Sequence, residues 1–90
     1  MAEVLKKAWA GTMESSDVYV EIEPNSDGIT IEIESVVKNQ FGESIKSAVC
    51  AVLEENGVKN ASVRVRDRGA LECVIRARVE AAVLRGKGEE

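Results

Sequence analysis

The residues able to do chemistry in this 90-residue chain are few. It has no histidine, which removes the commonest general base, the commonest metal ligand and the side chain that titrates near neutral pH. Two cysteines, Cys50 and Cys73, are too few and too far apart for a disulfide framework or a zinc site. Cys50 sits in the apolar run Ala48-Val49-Cys50-Ala51-Val52 and Cys73 borders Val74-Ile75, so both read as small core or near-core residues. A thiol nucleophile wants a neighbouring base or cation, and only Arg76 stands close to Cys73. No glycine-rich phosphate loop and no Gly-Xaa-Ser-Xaa-Gly elbow is present. A lysine-tethered arm needs a lysine at a hairpin tip, where this chain has Asn25-Ser26-Asp27-Gly28. No catalytic residue and no metal ligand is therefore assigned.

What remains is the run Ala10-Gly11-Thr12-Met13-Glu14-Ser15-Ser16-Asp17-Val18. Read plainly, Ser15, Ser16 and Asp17 are loop polars entering a strand, and composition alone leaves them there. The sharper reading is a serine offered for covalent modification. An exposed hydroxyl beside a rigid strand lies within reach of a transferase, and Glu14 and Asp17 discourage its burial.

The elements that must position this run follow from periodicity. Residues 1–16 show no sustained period and read as a flexible N-terminal arm that ends in the serine loop. Val18, Val20 and Ile22 alternate with Tyr19, Glu21 and Glu23, the period of a half-buried strand. Pro24-Asn25-Ser26-Asp27-Gly28 supplies a turn, and Ile29, Ile31 and Ile33 make a second strand, expected as the other arm of a hairpin. Apolar residues then fall at helical spacing from Ser35 to Asn56: Val37, Phe41, Ile45, Ala48, Val49, Val52 and Leu53. Ser35 is placed to cap this helix and Asn56-Gly57 to stop it. Ala61, Val63 and Val65 alternate as a third strand.

Residues 73–80 alternate too, yet the segment 70–85 is rich in helix formers. Charge arbitrates. The outward residues Glu21, Glu23, Glu32 and Glu34 would meet Arg64, Arg66, Arg76 and Arg78 on one solvated face if all four segments were strands. The expected fold is therefore α+β, a two-layer β-β-α-β-β domain whose four-stranded, mainly antiparallel sheet has one face covered by a helix. A single domain over residues 17–86 is expected, with residues 87–90 a frayed tail.

Composition narrows the function classes. Lys and Arg number 12 against 16 Asp and Glu, a net charge of −4. Residues 1–57 carry 4 basic and 11 acidic groups, net −7, and residues 58–90 carry 8 and 5, net +3. Trp9, Tyr19 and Phe41 are the only aromatics, and none interleaves with the basic half. Nucleic acid is thus not an expected partner. Lys6-Lys7 is not followed by an apolar run, and no stretch approaches the length of a membrane span. The chain is expected to be soluble and cytoplasmic.

The run from Ala10 to Val18 resembles the prosthetic-group segment of the citrate lyase acyl carrier protein family, the gamma subunit of that enzyme. Two further segments extend the likeness: Gln40-Phe41-Gly42, and the block from Asp67-Arg68-Gly69-Ala70-Leu71-Glu72-Cys73 through Glu80. Together they span about residues 10–85. The resemblance implies that Ser15 carries a phosphoribosyl-dephospho-CoA group through a phosphodiester, with its neighbour Ser16 as the runner-up. The family pattern accepts glycine at the second position, which favours Ser15. Met13 stands where the family has leucine, and Arg68 where it has lysine. The implied partners are the citrate lyase alpha subunit, which exchanges acyl groups, the beta subunit, which cleaves citryl thioester to oxaloacetate, and a prosthetic-group transferase. The chain itself would then be a non-catalytic carrier in the conversion of citrate to acetate and oxaloacetate. Two alternatives stand beside this one: the acyl carrier subunit of a malonate decarboxylase, and an unmodified protein-interaction module.

Overall fold

The computed structural model describes residues 3–35 and 38–88, with the side chains of residues 36–42 outside the description. The described elements are β1 (Ala8–Gly11), β2 (Val18–Glu23), β3 (Ile29–Ser35), α1 (Lys38–Glu55), β4 (Ala61–Asp67) and α2 (Glu72–Lys87). The strands form one four-stranded sheet in the order β1-β2-β4-β3. β2 pairs antiparallel with β1 and with β4, whereas β3 runs parallel to β4. The architecture is α+β, as the alternating and helical periods require, with two helices over the sheet in place of the expected one.

Alternation decides which face is covered. Ala8, Ala10, Val18, Val20, Ile22, Ala61, Val63 and Val65 all point to one side and are buried. There α2 packs on β1 and β2, and α1 packs beside it on β3. Ile45, Ala48, Val49, Val52 and Leu53 supply the buried face of α1. Its C-terminus closes as a Schellman turn: Gly57 N–H donates to Glu54 O at 3.0 Å and Val58 N–H to Leu53 O at 2.9 Å. Gly57 takes a φ of 71°, which glycine adopts without steric cost.

The opposite face carries the charges. Glu21 and Glu32 flank Arg64 in register, with N···O distances of 3.6 and 3.7 Å, and Tyr19 and Glu34 flank Arg66. The cross-strand pairing of early acids with late arginines is therefore real for β4. Arg76 and Arg78 depart from it, because both lie on α2.

The departures from expectation have physical causes. Segment 72–87 is a helix, not a strand, since its buried residues Ile75, Val79, Ala82, Val83 and Gly86 keep helical spacing beyond the point where alternation ends. The fourth strand is instead β1, inside the stretch expected to be an arm. Its inward residues are alanines, too weakly apolar to announce a strand, and they suit close packing by α2. Glu3 and Leu5 also tie this stretch down, through Asn60 N–H to Glu3 Oε1 (3.0 Å) and Leu5 N–H to Gly86 O (3.0 Å).

β2 and β3 are not a hairpin, because β4 lies between them. The turn at 24–28 is stitched to the start of β4 by Gly28 N–H to Asn60 Oδ1 (2.9 Å) and Ala61 N–H to Gly28 O (3.0 Å). The chain thus steps across β4 instead of reversing beside β2, and α1 provides the crossover that a parallel pair demands. Ser35 ends β3 and donates its hydroxyl to Asp67, and α1 begins at Lys38; the expected cap bond lies outside the described residues. Cys50 and Cys73 are both exposed, on the outer sides of their helices and not in the core.

Candidate functional site

The β1–β2 connection carries the serines. Gly11 pairs with Tyr19 at the end of the ladder, and Thr12 N–H continues it to Val18 O at 3.2 Å. No other residue fits at position 11. Its φ is +93°, and a Cβ there would stand 1.8 Å from the Val18 carbonyl oxygen.

Beyond Gly11, Asp17 organises the loop. One carboxylate oxygen, Oδ2, accepts from the Thr12 hydroxyl at 2.7 Å, and Oδ1 accepts from the Val18 N–H at 2.7 Å. The Arg78 guanidinium, from α2, adds Nε to Oδ1 at 3.2 Å and Nη2 to Oδ2 at 3.1 Å. These donors hold the Asp17 carboxyl below its ordinary pKa: the Thr12 hydroxyl most, then the Val18 amide, with Arg78 adding to them and partial burial opposing.

Between Thr12 and Asp17 the chain makes a β-turn, with Asp17 N–H donating to Glu14 O at 3.1 Å. Ser15 and Ser16 are its two central residues. Ser16 has φ of +65°, the sign that the third residue of a type II turn requires. The turn is also fastened to the strand end beside it, by Ser16 N–H to Arg68 O (2.8 Å) and Arg68 N–H to Asp17 O (2.9 Å). Arg68 is placed by its neighbour Asp67, buried at 2% exposure, which accepts from Ser35 Oγ at 2.8 Å and Ala70 N–H at 2.9 Å.

Ser15 stands at the apex of this frame. It is exposed, and its hydroxyl makes no hydrogen bond among the described residues. Ser16 is exposed as well, but its backbone is committed to the turn. An ester formed on Ser15 Oγ breaks no internal bond, so the site fits a covalent group on that atom.

Sequence reasoning singled out the two serines and missed what holds them. Asp17 does not keep the site open by its charge, as expected; it is half-buried and ties the loop together. Thr12 and Asp17, bracketing the serines five residues apart, were a signal available in the sequence. Arg78 had none, because its segment read as a strand. Gln40-Phe41-Gly42 falls in the first turns of α1, where side chains lie outside the described residues.

Known proteins resemble this chain. A family model described as malonate decarboxylase delta subunit (MdcD) matches residues 5–86. The citrate lyase acyl carrier protein 2 of Salmonella typhimurium is 54% identical over 84 residues, covering 92% of this chain and 87% of that one. The citrate lyase acyl carrier protein of Klebsiella pneumoniae is 58% identical over 79 residues, covering 87% and 81%. The chain belongs to the citrate lyase acyl carrier protein family. The fold of this family is also present in the crystal structure of a Pseudomonas malonate decarboxylase hetero-tetramer in complex with malonate. One chain there superposes with a TM-score of 0.77 at 22% identity, over 89% of this chain and 82% of that one. No helix among the described residues is long and apolar enough to cross a membrane.

Proposed function

We propose that this chain is the acyl carrier subunit of a citrate lyase, with Ser15 Oγ as the attachment point of a phosphoribosyl-dephospho-CoA group. The observation that carries the reading is the free, exposed Ser15 hydroxyl on a turn pinned from both sides. Identities of 54% and 58% to citrate lyase carriers over most of the chain support the choice of complex. Once attached, the group supplies a thiol that holds acyl units as thioesters.

This chain's own part is presentation. Ser15 Oγ attacks the phosphorus of a phosphoric-anhydride donor held by a transferase. An O–P ester bond forms, the anhydride P–O bond breaks with departure of its phosphate leaving group, and the hydroxyl proton passes to a base of the transferase. The turn keeps Ser15 facing outward during that encounter and afterwards holds one fixed point from which a tethered arm reaches the alpha and beta subunits. Tethering raises the effective concentration of the arm at each subunit to the order of mM.

Intact mass after co-expression with the modifying enzymes tests the reading. The wild-type chain and Ser16→Ala should gain the mass of the group, and Ser15→Ala should not. An unmodified wild type points to a plain interaction module, and retention of the added mass in Ser15→Ala moves the site. The description of the matching family model favours a malonate decarboxylase carrier as second reading. Reconstitution with alpha and beta subunits separates the two by whether citrate or malonate is consumed.

A further inference from the structure

We infer that Arg78 is a positioning residue for the modification of Ser15: from α2, through Asp17, it sets the orientation of the turn that presents the serine. The inference rests on the reading of Ser15 as the attachment point. It starts from a mismatch between the turn's exposure and its order. β1 is a four-residue edge strand, so on that side the β1–β2 connection has little sheet to hold it, and its backbone is fastened on the other, to Arg68. A loop supported by that hairpin alone would follow the fraying of the edge. Arg78 refers it instead to the core, because Ile75, Val79, Ala82 and Val83 bury the same helix beneath the sheet.

The chemistry of the contact suits orientation. The Asp17 carboxylate accepts two parallel bonds from the Arg78 fork, which fixes its plane as well as its place. With that plane fixed, Oδ2 meets the Thr12 hydroxyl at one end of the turn and Oδ1 the Val18 amide at the other. The Thr12 oxygen in turn accepts from Glu14 N–H at 3.2 Å, one residue before Ser15. The stem of Arg78 passes over Gly11, its Cδ 3.4 Å from where a Cβ would stand, so the guanidinium reaches Asp17 across the neck of the loop.

Global stability is not where the pair matters most. The Arg78 side chain is 42% exposed and that of Asp17 16%, so the half-open pair contributes modestly to folding. Its effect falls on the geometry of the turn, where small misplacements of a reacting atom are costly in rate.

The test is the rate at which the transferase modifies carriers of varied concentration, followed by intact mass. Arg76→Met is the matched control: it lies two residues earlier on α2 and removes an ion pair to Glu55 at 2.9 Å, away from the turn. Arg78→Met should melt close to the wild type and lose about tenfold in kcat/KM for modification. Arg78→Lys, with charge but no fork, should recover part of the loss. Amide exchange at Ser16 and Thr12 should quicken in Arg78→Met and stay unchanged in Arg76→Met. Should Arg78→Met not fold, Asp17→Asn carries the same comparison from the other side of the pair. The inference is overturned if Arg78→Met is modified at the wild-type kcat/KM, or if Arg76→Met loses as much. Ser15→Ala keeps the two readings apart: modification that survives it overturns the attachment point, whatever Arg78 does.

Discussion

The Ser35 hydroxyl donates to Asp67 Oδ2 at 2.8 Å across an in-register pair at the ends of the two parallel strands. Asp67 lies on the covered face of the sheet at 2% exposure, so this bond joins a buried carboxylate to one of its few donors. Removing it leaves a buried carboxylate short of a donor. Ser35→Ala should therefore cost about 1–3 kcal/mol in denaturant unfolding, more than an average serine bond. The next residue, Arg68, holds the serine turn, so amide exchange at Ser16 should quicken in the same variant. A loss under about 0.5 kcal/mol would show that the carboxylate finds another donor.

Gly11→Ala tests the neck of the loop. Its Cβ would stand 1.8 Å from Val18 O at a φ of +93°, so the β1–β2 pairing must give way. A loss of more than about 2 kcal/mol is expected, since left-handed strain and a backbone clash add. Near-wild-type unfolding would mean that β1 contributes almost nothing to the sheet.

Ser16 sits at φ of +65°, which costs a non-glycine residue roughly 1 kcal/mol. Glycine removes that cost but adds about 0.5–1 kcal/mol of backbone entropy to be lost on folding. The two nearly cancel. Ser16→Gly should unfold within about 0.5 kcal/mol of the wild type and still accept the group, whereas Ser16→Val should lose more than about 1 kcal/mol. Loss of modification in Ser16→Gly would transfer the attachment point to Ser16.

Much of the sheet was legible because alternation is strong in β2, β3 and β4, whose inward residues are mostly valines and isoleucines. β1 was not, since Ala8 and Ala10 carry little apolar signal. The helix α2 was misread because Cys73, Ile75, Ala77 and Val79 mimic a strand over one short window, and the arginines between them seemed to complete a charge pattern. One misreading then hid another. With residues 73–80 in the sheet, Arg78 had nowhere to go but the solvated face, and its bond to Asp17 could not be anticipated. That Ser15 lies exposed on a loop was legible from its sequence neighbours. The frame around it was not, since its bonds cross as many as 61 positions.

Acid should act on the turn through Asp17. Folding weakens the hold of Asp17 on a proton, so the folded form gains stability from this residue above its ordinary value of 3.8. The gain drains away as pH falls from about that value through the lower folded one. Protection of the Ser16 amide, once corrected for intrinsic exchange, should stay level from pH 7 to about 4.5 and decline below it. Asp17→Asn should flatten this decline and start from weaker protection. A wild-type profile that falls between pH 7 and 5 would assign the titration to another group.

Leu71 stands at the N-cap of α2 with φ −70° and ψ 156°, makes no side-chain cap bond, and is 72% exposed. Both features run against stability. An N-cap serine would accept from a first-turn N–H and contribute about 1 kcal/mol, while a leucine so exposed has little burial to lose. Leu71→Ser should therefore raise the melting temperature by roughly 4–8 °C per kcal/mol gained, an uncommon result for replacing a large apolar residue. Its backbone already has the extended conformation that a cap needs, so no rearrangement opposes the gain. A fall in melting temperature would instead show that Leu71 contributes through the groove it borders, where Ile45, Ala70 and Ile75 offer the apolar contact.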